Sequence, residues 1–226
     1  MTDAATAATI RLLEARMHDT QARIDQMPVS PGARLSTFRQ HISPFSLPTH
    51  RVHFTGVRMT PIPPGQFDPA PFSLLDAWLL LASGTGPAPG AYNAMTISWG
   101  GFGVMWGKRV ATVAVRPTRH TYGFLERCDS FTLCAFPTAL RPALEVCGRA
   151  SGRDGDKVSQ CGLTAVAASL VASPVFTEAT LAIECRILAS HALEPTRFRD
   201  LSIHQHYHDD HHRCYIGEIV AVARSD

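Results

Sequence analysis

Apolar and polar positions alternate over residues 95–98, where Met95 and Ile97 interleave with Thr96 and Ser98. That period of two predicts a strand with one apolar face and one hydroxyl-bearing face. Gly100 and Gly101 are then expected to turn the chain, with Gly101-Phe102-Gly103 as the hairpin turn behind the strand. A second run, Val110-Ala111-Thr112-Val113-Ala114-Val115, is apolar enough to predict a strand buried on both faces, stopping at Pro117, which has no N–H for a ladder. Further strands are expected at 52–57, 77–82, 94–99, 130–136, 180–189 and 214–223, and short helices at 121–127 and 138–147. Many strands with Gly/Pro turns and few helices predict a mainly β, closed architecture.

The amino-terminal quarter reads differently. Ile10, Leu13, Met17, Thr20, Ile24 and Met27 fall at alternating steps of three and four, one helical stripe that Pro28 ends. Prolines and glycines then recur as far as Pro71, which predicts a wrapping arm with a single strand at 52–57. The expected organisation is a helix and arm over 1–50 and one domain over 51–226, a size that needs no second core.

Charge narrows the function classes. A formal net charge of +2 without a basic stripe argues against nucleic acid. Six scattered cysteines, with no C-x-x-C pair, predict reduced thiols and no zinc site. The start of the chain lacks a signal-peptide pattern, and the longest strongly apolar run, 77–82, is far short of the ~20 residues that span a bilayer. A cytoplasmic protein without membrane contact is expected.

Candidate chemistry gathers where the second strand stops. Arg116, Thr118, Arg119, His120 and Thr121 place two guanidiniums, two hydroxyls and an imidazole within six residues, a donor set suited to a phosphate dianion. Residues 151–157, Ser-Gly-Arg-Asp-Gly-Asp-Lys, form a second anion-loop candidate; as a calcium loop they fail, because Ala165 stands at position twelve. His204, His206, His208, His211 and His212, with Asp209 and Asp210, are the one metal-like cluster, and a polar loop before the last strand is the preferred reading of it. The 84–90 segment lacks dinucleotide glycine spacing and carries two prolines, so it is expected to be a loop.

Taken in order, Asn93-Ala94-Met95-Thr96-Ile97-Ser98-Trp99-Gly100-Gly101, Trp106-Gly107-Lys108, Arg116 to Tyr122, Ser151 to Lys157 and Tyr215-Ile216-Gly217-Glu218 resemble the flavin reductase family, in its flavoredoxin-like branch. The resemblance covers roughly residues 50 to 222; Arg109 departs from it, standing where proline is usual. It implies an FMN-binding split β-barrel of Greek-key antiparallel strands with flanking helices, working as a homodimer. It implies FMN as cofactor, NADH or NADPH as electron donor, and hydride transfer to flavin N5. The alternatives left open are an FMN electron carrier reduced by a redox protein partner and a non-enzymatic flavin-binding protein. By the same resemblance, Asn93, Thr96, Ser98 and Trp99 meet the ring. Arg116, Thr118, Arg119 and Thr121 meet the phosphate, Ser151 and Lys157 form a second clamp, and His212 touches the nicotinamide or substrate pocket. No acid/base pair, nucleophile or metal is expected, because the cofactor carries the chemistry.

Overall fold

The computed structural model describes residues 53–54, 57–68 and 70–225. The predicted helix of residues 10–27 and the arm through residue 52 lie outside the described residues. Where one strand was expected at 52–57, two short ones pair antiparallel, β1 (His53–Phe54) and β2 (Val57–Ile62).

A helix follows, α1 (Pro71–Ala77), with proline at its first position, where no N–H is needed. Arg141 donates to the Asp76 and Ala77 carbonyls at this helix's end and stacks 3.6 Å from the centre of the Trp78 ring. That cap moves the next strand: the 77–82 expectation becomes β3 (Leu79–Gly84). β3 pairs with β4 (Tyr92–Ile97), two residues earlier than expected, across the 85–91 loop.

The largest correction concerns the glycines. Gly101-Phe102-Gly103 is no turn; it lies within β5 (Gly100–Met105), which pairs with β6 (Lys108–Val115) through a turn at Trp106-Gly107. β6 is not buried on both faces either, since Val113 and Val115 are buried while Thr112 and Ala114 are half-buried. The remaining elements are α2 (His120–Leu125), β7 (Ser130–Ala135), α3 (Arg141–Arg149), α4 (Lys157–Gln160), β8 (Ala165–Val166), β9 (Val175–Phe176), β10 (Leu181–Ala192) and β11 (Arg213–Ser225).

Among the described residues every strand pairing is antiparallel. The sheet runs β4-β3-β7-β10-β11, and one edge of the long β11 is shared by β6 near its start and β2 near its end. One core joins the two ends of this path: Leu79, Leu81, Met95 and Ile97 pack in the same cluster as Val113, Val115, Phe131, Ile183 and Tyr215. The sheet therefore curls around a single interior, a barrel. The opposite faces of β3, β4, β7 and β10 are covered too, through Leu80, Ala82, Ala94, Cys134 and Ala182 against Leu144, Cys147, Val158 and Phe176. Burial on both faces explains why β3 opens as a continuous apolar run, Leu79 to Ala82, instead of alternating. Among the described residues, no helix is long and apolar enough to cross a membrane.

Candidate functional site

The barrel has a seam. β4 pairs with β3 and β5 pairs with β6, so the corner Ser98-Trp99 carries the chain from one end of the sheet to the other. A single backbone hydrogen bond, from Ala114 N to Trp99 O at 3.3 Å, ties that corner to β6. A Cβ on Gly100 would sit 2.2 Å from the Thr112 carbonyl oxygen, so close backbone approach dictates glycine where the corner meets β6.

The seam opens as an inner cleft lined by Met95, Thr96, Ile97, Ser98, Trp99, Ala114, Arg116, Arg119 and His212. Ser98 is exposed and Trp99 is 44% exposed, so neither belongs to the core. Thr96 is half-buried, and its hydroxyl donates to the Leu144 carbonyl, joining β4 to α3. The Trp99 and His212 rings lie 4.8 Å apart, tilted by 37°, and make an aromatic wall.

An outer pocket adjoins the cleft through shared Met95 and Arg119. Asn93, Thr118, His120, Thr121, Arg149, Ala150, Ser151, Gly152, Arg153 and Lys157 complete it. Pro117 occupies the second position of a turn in which Arg119 N donates to Arg116 O at 3.0 Å; that turn delivers Thr118 to Thr121. Asn93 donates to the Thr121 hydroxyl at 2.6 Å. The 151–155 loop packs so closely on Asn93 that a Cβ on Gly152 would lie 1.9 Å from its Oδ1.

The outer pocket is cationic in a specific way. Arg119 donates to the Gly148 carbonyl, Arg153 to the Thr118 carbonyl at 3.1 Å, and Lys157 to the Cys147 and Ala150 carbonyls at 2.8 and 2.9 Å. These partners are dipoles, not charges, and no carboxylate lines the pocket. Only Arg149 meets an acid, its i−4 neighbour Glu145, at 2.8 Å. Uncompensated positive charge facing a concavity with the Ser151, Thr118 and Thr121 hydroxyls suits a phosphate dianion. Burial, then the neighbouring Arg116, lowers the Arg119 pKa, and burial lowers that of Lys157. Burial together with Arg153, Lys157 and Arg127 holds His120 below its ordinary value, so the imidazole favours its neutral form.

Each of the eleven residues singled out from the sequence lines one of the two pockets. The division within them differs from expectation. Arg116 lines the inner cleft, not the outer pocket: it pairs with Asp210 at 2.7 Å, donates to the His206 carbonyl at 2.7 Å and covers the Tyr207 ring at 5.2 Å. Its guanidinium holds the Asp210 carboxyl below the usual range and anchors the 201–212 segment. Lys157 is buried against helix-end carbonyls and thereby pins the pocket wall.

Of the five histidines, His204 and His206 lie in a 3-10 helix, Leu201–His206, capped by the Asp200 side chain. Phe198, Tyr207 and His211 stack behind the cleft, and no group of ligands that could hold a metal exists among the described residues. His212 hydrogen-bonds the Tyr207 hydroxyl at 3.0 Å and is neutral at pH 7, its pKa lowered to about 4 chiefly by burial and next by Arg116. Arg149, Arg153, Asp210 and Tyr207 are site residues outside the set singled out. Arg153 stood inside the recognised loop and Asp210 beside the histidines, whereas Arg149 carries no sequence signal.

The family described as Flavin reductase like domain matches residues 80–226. Among solved structures, the FMN-binding domain of a flavin reductases-like enzyme from Shewanella baltica aligns with a TM-score of 0.54 at 17% identity, over 74% of this chain and 78% of that one. Flavoredoxin of Desulfovibrio vulgaris (Miyazaki F) aligns with a TM-score of 0.51 at 22% identity, over 77% and 76%. Both likenesses are of fold. Among curated proteins, none matches the sequence.

Proposed function

The chain belongs to the flavin reductase-like domain family through residues 80–226, and from that premise we propose an FMN-binding oxidoreductase, reduced by NADH or NADPH. The observation that carries this reading is the pairing of an aromatic-walled cleft with a pocket in which Arg119, Arg153 and Lys157 are held by carbonyl dipoles and by no carboxylate. The donor set fits FMN. Arg119, Arg153 and the Ser151, Thr118 and Thr121 hydroxyls would hold the phosphate, with Lys157 fixing the wall behind them. Thr96, Ser98 and the corner backbone would meet the polar edge of the ring, and Trp99 would frame it.

Bound FMN supplies the hydride acceptor, its N5 atom, so the chain needs neither nucleophile nor acid/base pair. What the protein would contribute is position: the seam's two edges would hold one ring, and the Trp99–His212 wall would offer a neutral aromatic surface to a second. Neutral His212 adds no charge to repel an oxidised nicotinamide on release. Two copies of the chain make up the working unit in this reading, which sedimentation velocity checks directly.

A second reading, an FMN electron carrier reduced by a protein partner, is favoured by the open mouth of the cleft at exposed Ser98 and Trp99. One experiment separates the two. FMN is added to the purified protein, the visible spectrum is recorded, and NADH and NADPH are titrated in without oxygen. Rapid bleaching of a bound-flavin band is the expected outcome. Bleaching by dithionite alone would favour the carrier, and unchanged free-flavin bands would refute both.

A further inference from the structure

His212 forms one side of the inner cleft, and its ring is held from behind. Its carbonyl accepts from Leu193 N at 2.8 Å, which ties the backbone to the Ala192–Arg213 end of the β10–β11 ladder. Its Nδ1 meets the Tyr207 hydroxyl at 3.0 Å, and both residues are buried. Tyr207 is fixed in turn. Its amide donates to the His204 carbonyl at 3.0 Å, its ring stacks on His211 at 4.5 Å and on Phe198 at 5.9 Å, and the Arg116 guanidinium lies 5.2 Å from the ring centre. A neutral imidazole carries one N–H and one bare nitrogen, and a phenol carries one O–H. Among the described residues, His212 is the sole hydrogen-bond partner of the Tyr207 hydroxyl, and burial pushes that hydroxyl above its ordinary pKa, so it keeps its proton. Were Nδ1 the protonated nitrogen, the Tyr207 O–H would be left in a buried place without an acceptor, at a cost above what the bond gains. The O–H therefore donates to Nδ1, and the imidazole proton sits on Nε2. Among the described residues, the buried side-chain polar atom left unpaired is Nε2 of His211, not of His212. The His212 Nε2 is thus open, and the space it opens on is the cleft that His212 lines beside Trp99.

On the reading that the cleft receives flavin and nicotinamide, we propose that Tyr207 is a positioning residue: it locks His212 in the tautomer whose Nε2–H holds the carboxamide carbonyl of NADH or NADPH beside the Trp99 wall. The choice of a carbonyl follows from the donor. Nε2–H is a neutral donor set in an aromatic wall, which suits a neutral acceptor carried on a flat ring, whereas Arg119 and Arg153 stand ready for anionic phosphate. The carboxamide oxygen of nicotinamide is such an acceptor. A neutral donor holds it alike in the reduced ring and in the oxidised, cationic one, so the contact serves binding and orientation, not the hydride step itself. Tyr207 acts only through His212, for the O–H that sets the tautomer is spent on Nδ1.

The test uses the full chain loaded with FMN. Tyr207→Phe keeps the ring in its stack and removes the O–H; its fold is checked by circular dichroism, and its FMN affinity should be retained. KM for NADH or NADPH, whichever bleaches the flavin, should rise about three- to tenfold, the worth of one neutral hydrogen bond, while kcat changes by less than about twofold. The thionicotinamide analogue of the same donor, whose sulfur is a weak acceptor, should already show a raised KM with the wild type, and Tyr207→Phe should raise it no further. A second readout needs no turnover. With isotopically labelled histidine, heteronuclear NMR should show His212, identified by the signals missing from His212→Gln, protonated at Nε2 in the wild type and as a mixture of tautomers in Tyr207→Phe. A wild-type His212 protonated at Nδ1, an unchanged KM in Tyr207→Phe, or an equal rise in KM for the thio analogue would each overturn this inference alone. Failure of both NADH and NADPH to bleach the bound flavin would overturn it together with the reading it rests on.

Discussion

Arg119 stands where the two pockets meet, and among the described residues its guanidinium answers only to the Gly148 carbonyl, so its charge is available to an anion. Arg116, three residues earlier, is neutralised by Asp210. The two arginines should therefore separate in a titration. Arg119→Ala is expected to weaken FMN binding by roughly ten- to a hundredfold, the worth of a charge-assisted hydrogen bond. Arg116→Ala should stay within about threefold of wild type, because its loss loosens the 201–212 segment and not the phosphate pocket. Equal losses, measured by flavin fluorescence quenching, would contradict the division. At His212 the expectation concerns pH. The buried imidazole binds its proton at about 4 in the fold, against an ordinary value of 6.5, so between these the unfolded chain holds more protons. Stability from this residue is full above 6.5 and falls as pH drops toward 4, by at most about 3 kcal/mol. His212→Phe should flatten that limb of a stability–pH curve measured by urea unfolding, and an unchanged slope would remove the assignment.

At the scale of elements, the wall between α3 and α4 depends on one ammonium. α3 ends at Arg149 with its last carbonyls in need of donors, and Lys157 supplies them from the start of α4, whose own amino end Asp156 caps through Ser159 N at 3.1 Å. Lys157→Met keeps the length and apolar stem but leaves buried carbonyls unpaired, and should cost about 1–3 kcal/mol, read as a lower urea midpoint at unchanged slope. The same logic operates at the far side of the barrel, where buried Glu184 on β10 accepts from Ser169 N and Oγ and from the Leu170 and Val171 amides, fastening a turn that has no ladder of its own. In both places a charged side chain replaces the hydrogen bonds that a regular element would have supplied.

On the scale of the whole molecule, the site lies where the sheet fails to close, between β4 and β6, so a ligand there touches β4, the 116–121 turn, the 149–157 wall and the 210–212 segment together. Binding only to the folded state, FMN at a hundredfold excess over its dissociation constant should add about 2.7 kcal/mol and raise the melting midpoint by several degrees. A scan with riboflavin, which lacks the phosphate, should move far less, and equal shifts would deny the outer pocket its role. Much of this was legible in the chain itself. Period-two alternation marked Met95 to Ser98, a continuous apolar run marked β3, and a dense set of donors after Pro117 marked the candidate anion pocket, because strand periodicity and side-chain chemistry are local properties. What tertiary structure alone decided was pairing and partnership. β5 was invisible because Gly100 to Met105 carries no alternating apolar face; it is a strand only because β6 offers a ladder. β3 began two residues late because Arg141, distant in sequence, caps α1. Which cations of the two pockets stay unneutralised depended on where Asp210 and the carbonyls of residues 118, 147, 148 and 150 came to lie, and such long-range partners leave no local trace. Residue types and their spacing thus determined the strands and the donors, whereas the fold decided which donors keep an unneutralised charge, since that depends on neighbours brought together only when the sheet curls.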